Sequence, residues 1–108
     1  MSQEKTKEVV AKLIKAMDVN DADKIRTSFH KDARQAYGNG DWKSSKDFFN
    51  WLESDIIERK GHVEDARYEI YGNEVVVKGQ YSSQGYTNKA NFLFTVQDDA
   101  IKSWQMRY

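Results

Sequence analysis

The spacing of hydrophobic residues changes once along the chain, from helical to alternating, near Gly61. In the first segment apolar residues recur every three or four positions between charged ones, namely Val9, Val10, Leu13, Ile14 and Met17. This spacing predicts an amphipathic helix that ends near Asp18. Asn20 or Asp21 can cap a second, shorter helix that closes at residues 30–32 and has a buried side formed by Ala22, Ile25 and Phe29.

A short strand over residues 33–37 and a turn over residues 38–41 lead into the third predicted helix. Ser44, with Asp47 three residues later, forms a start similar to a capping box, and Gly61 can take a left-handed conformation at the end. The buried stripe between them consists of Phe48, Phe49, Leu52 and Ile56. Trp51 lies off the centre of that stripe, where it either borders a cavity or widens the helix contact.

After Gly61, alternation predicts four strands at residues 62–71, 74–82, 86–97 and 100–108. The turns between them are short, which is typical of a mainly antiparallel sheet. The predicted inner positions are Ala66, Tyr68, Ile70, Val75, Val77, Gly79, Tyr81, Tyr86, Asn88, Ala90, Phe92, Phe94 and Val96. The last strand is ambiguous, because one face holds Ile101, Ser103, Gln105 and Arg107 and the other holds Trp104, Met106 and Tyr108.

The composition narrows the class of protein. Its 108 residues suit a single domain, residues 1–108, because no low-complexity or Pro-rich stretch divides them. The 17 basic residues are balanced by 17 acidic ones, so neither nucleic acid nor a membrane is expected as a partner. With no cysteine and no apolar leader, we expect a cytoplasmic protein. The two histidines lie far apart and no phosphate or dinucleotide motif occurs, so we predict no metal site and no cofactor.

The aromatic residues are concentrated late in the chain. All of them, three Trp, six Tyr and five Phe, lie after residue 28, and most lie within the predicted strands. This is more ring surface than one face of one small sheet normally hides. Either the sheet curves around a pocket, or its other face contacts a partner.

Two stretches of the chain carry a family resemblance. Residues Phe29–Arg34 resemble the segment with which many members of the nuclear transport factor 2-like superfamily enter their first strand, and Asp98–Trp104 resembles their entry into the last strand. Together with the order of the elements, the resemblance covers essentially the whole chain. Within the superfamily, Phe29–Ala33 and Phe48–Leu52 are most similar to the SnoaL-like or lumazine-binding-like branch.

The resemblance implies an α+β, cone-shaped fold in which three N-terminal helices cover the concave side of a curved, mainly antiparallel sheet. The cavity between them would bind a small apolar or aromatic molecule, and the residues expected to line it are Tyr37, Trp51, Tyr68, Tyr81, Asn88 and Phe92. The convex side often forms a homodimer in this superfamily. The expected contact is Leu93 together with either Trp104, Met106 and Tyr108 or the opposite face of that strand.

Whether the protein is an enzyme stays open at this point. Members of the superfamily that move a proton next to a carbonyl place an Asp at the end of the first strand, and that position is Tyr37 here. A neutral phenol cannot act as the base, so Tyr37 and His62 are candidates for other acid or base roles. The alternatives to a small-molecule-binding domain are a cyclase or isomerase that uses Asn88, Gln105 or His62, and a non-catalytic dimeric interaction module.

Overall fold

The structure is a computed structural model and describes residues 3–107. Its helices are α1 (Gln3–Asp18), α2 (Ala22–Thr27), α3 (Ser45–Trp51) and a π-helix (Leu52–Ile57) that continues α3 without a break. Its strands are β1 (Phe29–Tyr37), β2 (Lys43–Ser44), β3 (His62–Tyr71), β4 (Glu74–Ser83), β5 (Tyr86–Gln97) and β6 (Ala100–Met106). The elements therefore occur in the predicted order. No helix within the described range is long and apolar enough to cross a membrane.

Helix α1 ends at Asp18 as predicted, and α2 begins directly after one of its two predicted caps. The buried side of α1 is the predicted apolar stripe, with Val10, Leu13, Ile14 and Met17 all buried. Asp21 has an extended backbone, and its carboxylate accepts a hydrogen bond from the Lys24 backbone N–H at 3.2 Å, which makes it the N-cap of α2. Of the two capping residues that the sequence allowed, Asp21 therefore caps α2.

The first strand is longer than the sequence indicates. It begins at Phe29, which pairs with Ile101 of β6, so Phe29 and residues 30–32 do not belong to α2. The Ile101 N–H donates to the Ser28 carbonyl at 2.9 Å and holds this early pairing in place. The spacing of apolar residues 22–29 suggested a longer helix because Phe29 fits two structures. A buried residue is needed both in the last turn of such a helix and at the start of a buried strand.

Both ends of the third helix differ in detail from the expectation. Ser44 is the N-cap, but its side chain makes no capping hydrogen bond, and Ser45 takes a left-handed φ of 51°. At the other end the left-handed residue is Lys60, with a φ of 55°, and not Gly61. The predictions of a capping box at Ser44 and of a left-handed conformation at Gly61 were therefore wrong, although the helix itself was predicted.

The six strands form one sheet in the order β2-β1-β6-β5-β4-β3. Every neighbouring pair is antiparallel except β1 and β6, which run parallel. The helices lie on the concave side, and the opposite, convex side has no helix over it within residues 3–107. This is the curved, mainly antiparallel α+β architecture that was expected.

The register of β6 resolves its ambiguity and corrects one expectation. The β5–β6 register shifts between Thr95 and Val96, which is a β-bulge, so Ile101 and Trp104 both point toward the helices. Trp104 is 0% exposed, and its ring lies 5.1 Å from Phe94. The expectation that Trp104 lies at a convex subunit contact is therefore wrong. Tyr108 lies outside the described residues.

Candidate functional site

A cavity of about 460 Å³ opens at the end of the sheet where β1 and β6 finish and the β4–β5 hairpin turns. This volume lies within the usual range for small-molecule sites. A larger groove of about 700 Å³ lies between α1 and α2, but its wall includes four lysines and no aromatic ring. We therefore take the smaller, ring-lined cavity as the candidate site.

Aromatic and aliphatic side chains form the inner wall of the cavity. The Tyr81 ring meets the Phe92 ring edge-to-face at 5.8 Å, and the Tyr86 ring lies 6.3 Å from Tyr81 on the outer side. Met106 is paired with Phe92 in the β5–β6 register, and Ile56 contributes from the π-helix. Met106 therefore faces the cavity and not the convex side, which corrects its assignment to a subunit contact on that side.

The polar centre of the cavity is the hydroxyl group of Tyr37. The Trp51 Nε1–H donates to Tyr37 Oη at 2.7 Å, and Tyr37 Oη donates to Asp55 Oδ2 at 3.4 Å. Ser54 Oγ donates to the other carboxylate oxygen, Oδ1, at 2.9 Å. Burial raises the pKa of Tyr37, the Trp51 hydrogen bond opposes that rise, and the Asp55 charge adds to it. Tyr37 therefore stays a neutral phenol that both accepts and donates.

Tyr37 also belongs to a cluster of rings and one cation behind the cavity. The Lys43 Nζ lies 4.8 Å from the centroid of the Tyr37 ring and 5.7 Å from that of Trp51, and it donates to Gln35 Oε1 at 2.6 Å. Gln35 is completely buried. These contacts fix the Tyr37 ring on its inner side and leave its hydroxyl group directed toward the π-helix.

Tyr81 is the most deeply buried phenol on the wall. It is 7% exposed, and burial raises its pKa to about 12. Its hydroxyl group lies against the backbone of Gly61, whose N–H donates to the Ile56 carbonyl at 2.8 Å and so ends the π-helix there. Tyr81 is therefore a fixed, uncharged wall residue at neutral pH.

Three hydrogen bonds lie near the mouth of the cavity, one of them within β5 and the other two between neighbouring segments. The Gln84 N–H, in the β4–β5 turn, donates to the Arg59 carbonyl at 2.8 Å, which joins that turn to the chain after the π-helix. Asn88 Nδ2 donates to Tyr86 Oη at 3.0 Å, and Arg107 Nη2 donates to Asn91 Oδ1 at 3.1 Å. The mouth is thus built from two strands and one helix end that are tied to each other.

The structure brings together four of the six predicted lining residues, which are Tyr37, Tyr81, Asn88 and Phe92. Trp51 lies behind the wall, where it acts on the cavity through Tyr37. Tyr68 does not reach the cavity, because it lies toward α1 with the Lys7 Nζ 5.3 Å from its ring centroid. Its inward direction was predicted correctly, but its strand is the edge strand next to α1.

Several wall residues were not identified from the sequence, namely Asp55, Arg59, Tyr86 as a mouth residue, and Arg107. Asp55 and Arg59 follow Trp51 at intervals of four residues, but Asp55 lies within the π-helix and Arg59 just after it, so the spacing of an ordinary α-helix does not give their directions. The predicted buried stripe drew attention to the core residues of the same helix, of which Ile56 also borders the cavity.

His62 and His30 lie outside the cavity wall. His62 Nε2 is 3.0 Å from Glu64 Oε2, and its Nδ1 is 3.2 Å from the Lys60 carbonyl. His30 Nδ1 accepts from the Asp32 N–H at 3.1 Å. Within residues 3–107, no group of three or more His, Asp or Glu side chains could hold a metal ion. The titratable groups of the cavity are therefore phenols, a carboxylate and three basic side chains.

Comparison with known proteins supports the architecture. No family model matches the chain, and no curated protein matches it. Among solved structures, it is similar to an NTF2-like protein of unknown function from Cytophaga hutchinsonii, with a TM-score of 0.80 and 16% identity over 94% of this chain and 87% of that one. It is also similar to the epoxide hydrolase/cyclase-like enzyme SalBIII, with a TM-score of 0.83 and 18% identity over 98% and 92% of the two chains.

A third similar structure is a de novo designed protein with a curved β-sheet, with a TM-score of 0.75 and 17% identity over 99% of this chain and 87% of the designed one. An enzyme and a designed protein therefore share this architecture, so the fold by itself does not decide the function. At these levels of identity the similarity establishes the fold, in agreement with the sequence resemblance. The chain has the nuclear transport factor 2-like fold.

Proposed function

We propose that this domain binds a small ring-bearing molecule in the cavity between the π-helix and the β4–β5 hairpin. The observation that carries the proposal is the convergence of Tyr37, Tyr81, Asn88 and Phe92 on one cavity of about 460 Å³. Flat rings on the wall offer stacking and edge-to-face contacts, and the phenol and amide groups at their tips offer hydrogen bonds. Such a wall suits a moderately polar molecule with one or two rings.

A thermal-shift and titration screen with ring compounds tests this proposal. Tyr86 is about half exposed at the mouth, so Tyr86→Ser removes a ring from the site with little effect on folding. Tyr71 has a similar exposure but lies at the other end of the sheet, which makes Tyr71→Ser the matched control. We expect Tyr86→Ser to weaken ring binding about tenfold or more and Tyr71→Ser to leave it unchanged. No stabilisation by any ring compound, or an equal loss in both variants, would overturn the proposal.

A second candidate is an enzyme of the cyclase or isomerase type, and a specific observation favours it. Tyr37 stands in β1 where isomerases of the superfamily place the Asp that acts as the base. Asp55 supplies a carboxylate beside Tyr37. Asp55 could take a proton from the carbon next to a carbonyl, while the carbonyl oxygen, which becomes an enolate oxygen, accepts a hydrogen bond from Tyr37.

Hydrogen–deuterium exchange at the α-carbon of a ring ketone such as 2-tetralone, followed by NMR in D₂O, tests this second candidate. We expect the protein to accelerate the exchange and Asp55→Asn to abolish the acceleration, with ketone binding retained. Tyr37→Phe should slow the exchange to a smaller extent. Exchange no faster than in buffer, or an unchanged rate in Asp55→Asn, contradicts the enzymatic role.

A further inference from the structure

Three phenols and one carboxylate converge on the cavity, namely those of Tyr37, Tyr81, Tyr86 and Asp55. Burial is the largest effect that raises the pKa of Tyr37 and of Tyr81, and the negative charge of Asp55 raises both pKa values further. Tyr86 also contributes to both rises. The four groups are therefore close enough to act on one another, and together they disfavour a negative charge and favour a positive one between them.

Asp55 has capacity for a further hydrogen-bond donor. It is half-buried and forms no ion pair within residues 3–107. One carboxylate oxygen accepts from Tyr37 at 3.4 Å, and the other accepts from the neighbouring Ser54 at 2.9 Å. Because a carboxylate can accept about four hydrogen bonds, Asp55 has acceptor positions left for a donor in the cavity.

The basic residues near the cavity do not neutralise this carboxylate. By the strand register, Lys89 and Asn91 lie on the convex side of the sheet, and Arg107 donates to Asn91 Oδ1 there. Arg59 is exposed and forms no ion pair with Asp55 within residues 3–107. Since water and salt screen an exposed cation, its effect on the half-buried carboxylate is weaker than that of a cation held against the carboxylate inside the cavity.

Aromatic rings on the wall provide a second contact for a cation, and they belong to Tyr37, Tyr81, Tyr86 and Phe92. The face of an aromatic ring attracts a cation. The Tyr37 ring already holds one in this way, since Lys43, which does not line the cavity, places its Nζ 4.8 Å from the ring centroid. A cation beside Asp55 would therefore gain from the rings as well as from the carboxylate.

We propose that the molecule bound in this cavity is a ring-bearing amine in its protonated form. Its ammonium group would donate to Asp55 beside the Tyr37 phenol, and its ring would lie against Tyr86 and Phe92. The inference rests on the proposed binding function and specifies its ligand class. An ammonium group only donates hydrogen bonds, which matches the acceptor positions that Asp55 has left.

Three probes that share a naphthalene ring test the ligand class: 2-naphthylmethylamine, 2-naphthylmethanol and 2-naphthoate. Titration calorimetry near neutral pH, where the amine is protonated, measures the affinity of the whole chain for each. We expect the amine to bind about tenfold more tightly than the neutral alcohol, which has nearly the same shape, and the carboxylate to bind most weakly.

Variants that remove one charge locate the ammonium group. Asp55→Asn should weaken binding of the amine about tenfold and leave binding of the alcohol unchanged, and the retained alcohol binding reports that the variant is folded. Asp98→Asn is the matched control, because Asp98 is exposed in the β5–β6 turn, at the other end of β5 from the cavity, and its left-handed φ of 53° suits Asn. Arg59→Gln should not weaken binding of the amine.

The outcomes separate this inference from the proposed function. If none of the three probes binds, binding of ring compounds itself fails, and the inference fails with it. If the alcohol or the carboxylate binds as tightly as the amine, the ring-binding function stands and the cationic ligand class is overturned. If Asp98→Asn weakens binding of the amine as much as Asp55→Asn does, the effect is one of total charge and the assignment to Asp55 is overturned.

Discussion

The phenol of Tyr81 occupies the space that a side chain on Gly61 would need. A β-carbon built on Gly61 would lie 2.1 Å from Tyr81 Oη and 2.9 Å from Tyr81 Cζ. Gly61 does not have a left-handed backbone, so it is close contact with the ring, and not a special φ, that requires glycine here. The end of the π-helix and the inner wall of the cavity are therefore coupled through this one contact.

Gly61→Ala should destabilise the protein by about 1–3 kcal/mol, because the added methyl group must displace a buried ring. Without that ring, the same substitution would be neutral or slightly stabilising through its effect on the unfolded chain. Urea unfolding measures the change. In a Tyr81→Ala background the cost of Gly61→Ala should therefore disappear, and an equal cost in both backgrounds would show that the contact is not its cause.

Tyr37→Phe should cost about 1–3 kcal/mol of unfolding free energy, because it leaves the buried Trp51 Nε1–H without its acceptor. A double-mutant cycle with Trp51→Phe should show that most of this cost depends on the indole N–H. Tyr86→Phe also removes a phenol that accepts a hydrogen bond, but the donor there, Asn88, is exposed to solvent, so the stability should hardly change. Equal losses of unfolding free energy in Tyr37→Phe and Tyr86→Phe would show that the burial of the donor does not matter.

Stability should depend on pH through His62. The hydrogen bond to the Lys60 carbonyl is the largest effect and raises the pKa of His62 above its ordinary 6.5. The interaction with Glu64 raises this pKa further, although partial burial opposes the rise. A raised pKa in the folded state means that the stabilisation is complete below 6.5 and is lost as the pH rises through the folded-state pKa.

The midpoint of thermal unfolding should therefore rise relative to that of His62→Gln as the pH falls from about 8 to about 6. Glu64→Gln removes one of the groups that raise the pKa and should reduce this pH dependence. His30→Gln serves as a control because it replaces the other histidine. A parallel pH dependence of the wild type and His62→Gln would rule out His62 as its source.

The proposed homodimer depends on the convex side of the sheet. Val76 faces this side and is only 5% exposed, and its partner in the β4–β5 register is Leu93, which is half-buried. We expect the wild type to sediment as a dimer and Leu93→Asp to sediment as a monomer, because a carboxylate would be desolvated at the contact.

Thr87→Asp is the matched control for the dimer, since it places the same charge on the same side of β5 at the end next to the β4–β5 turn. It should leave the dimer intact. A monomeric wild type in sedimentation velocity contradicts the homodimer and also the alternative role as a dimeric interaction module.

Much of the candidate site could be predicted from side-chain alternation. Tyr81, Asn88 and Phe92 were assigned to the inner side because successive residues of a strand point to opposite faces, and this assignment needs no knowledge of the partner strand. Tyr37 followed from the resemblance of the first strand. Trp104 was beyond this reasoning, because a single inserted residue in β6 reverses the direction of the side chains that follow it.

Asp55 and Arg59 could not be assigned to the site for a different reason. Their direction depends on the π-helix, whose hydrogen bonds span five residues, as in the bond from the Glu58 N–H to the Glu53 carbonyl at 2.9 Å. The sequence of this segment is compatible with an ordinary α-helix. In the structure the π-helix contacts Tyr37 and the chain after it contacts the β4–β5 turn. The spacing of residues within this segment does not predict contacts with such distant parts of the chain.

The sequence by itself determined the order of the main helices and strands, the mainly antiparallel sheet and the apolar side of the long elements other than β6, because periodicity reports directly on which side of an element is buried. The tertiary structure decided which polar groups meet in the cavity. It placed Asp55 at Tyr37 and set Tyr81 against Gly61. These relationships join residues distant in the chain, and their geometry depends on a bulge and a π-helix whose registers are fixed only when the layers pack.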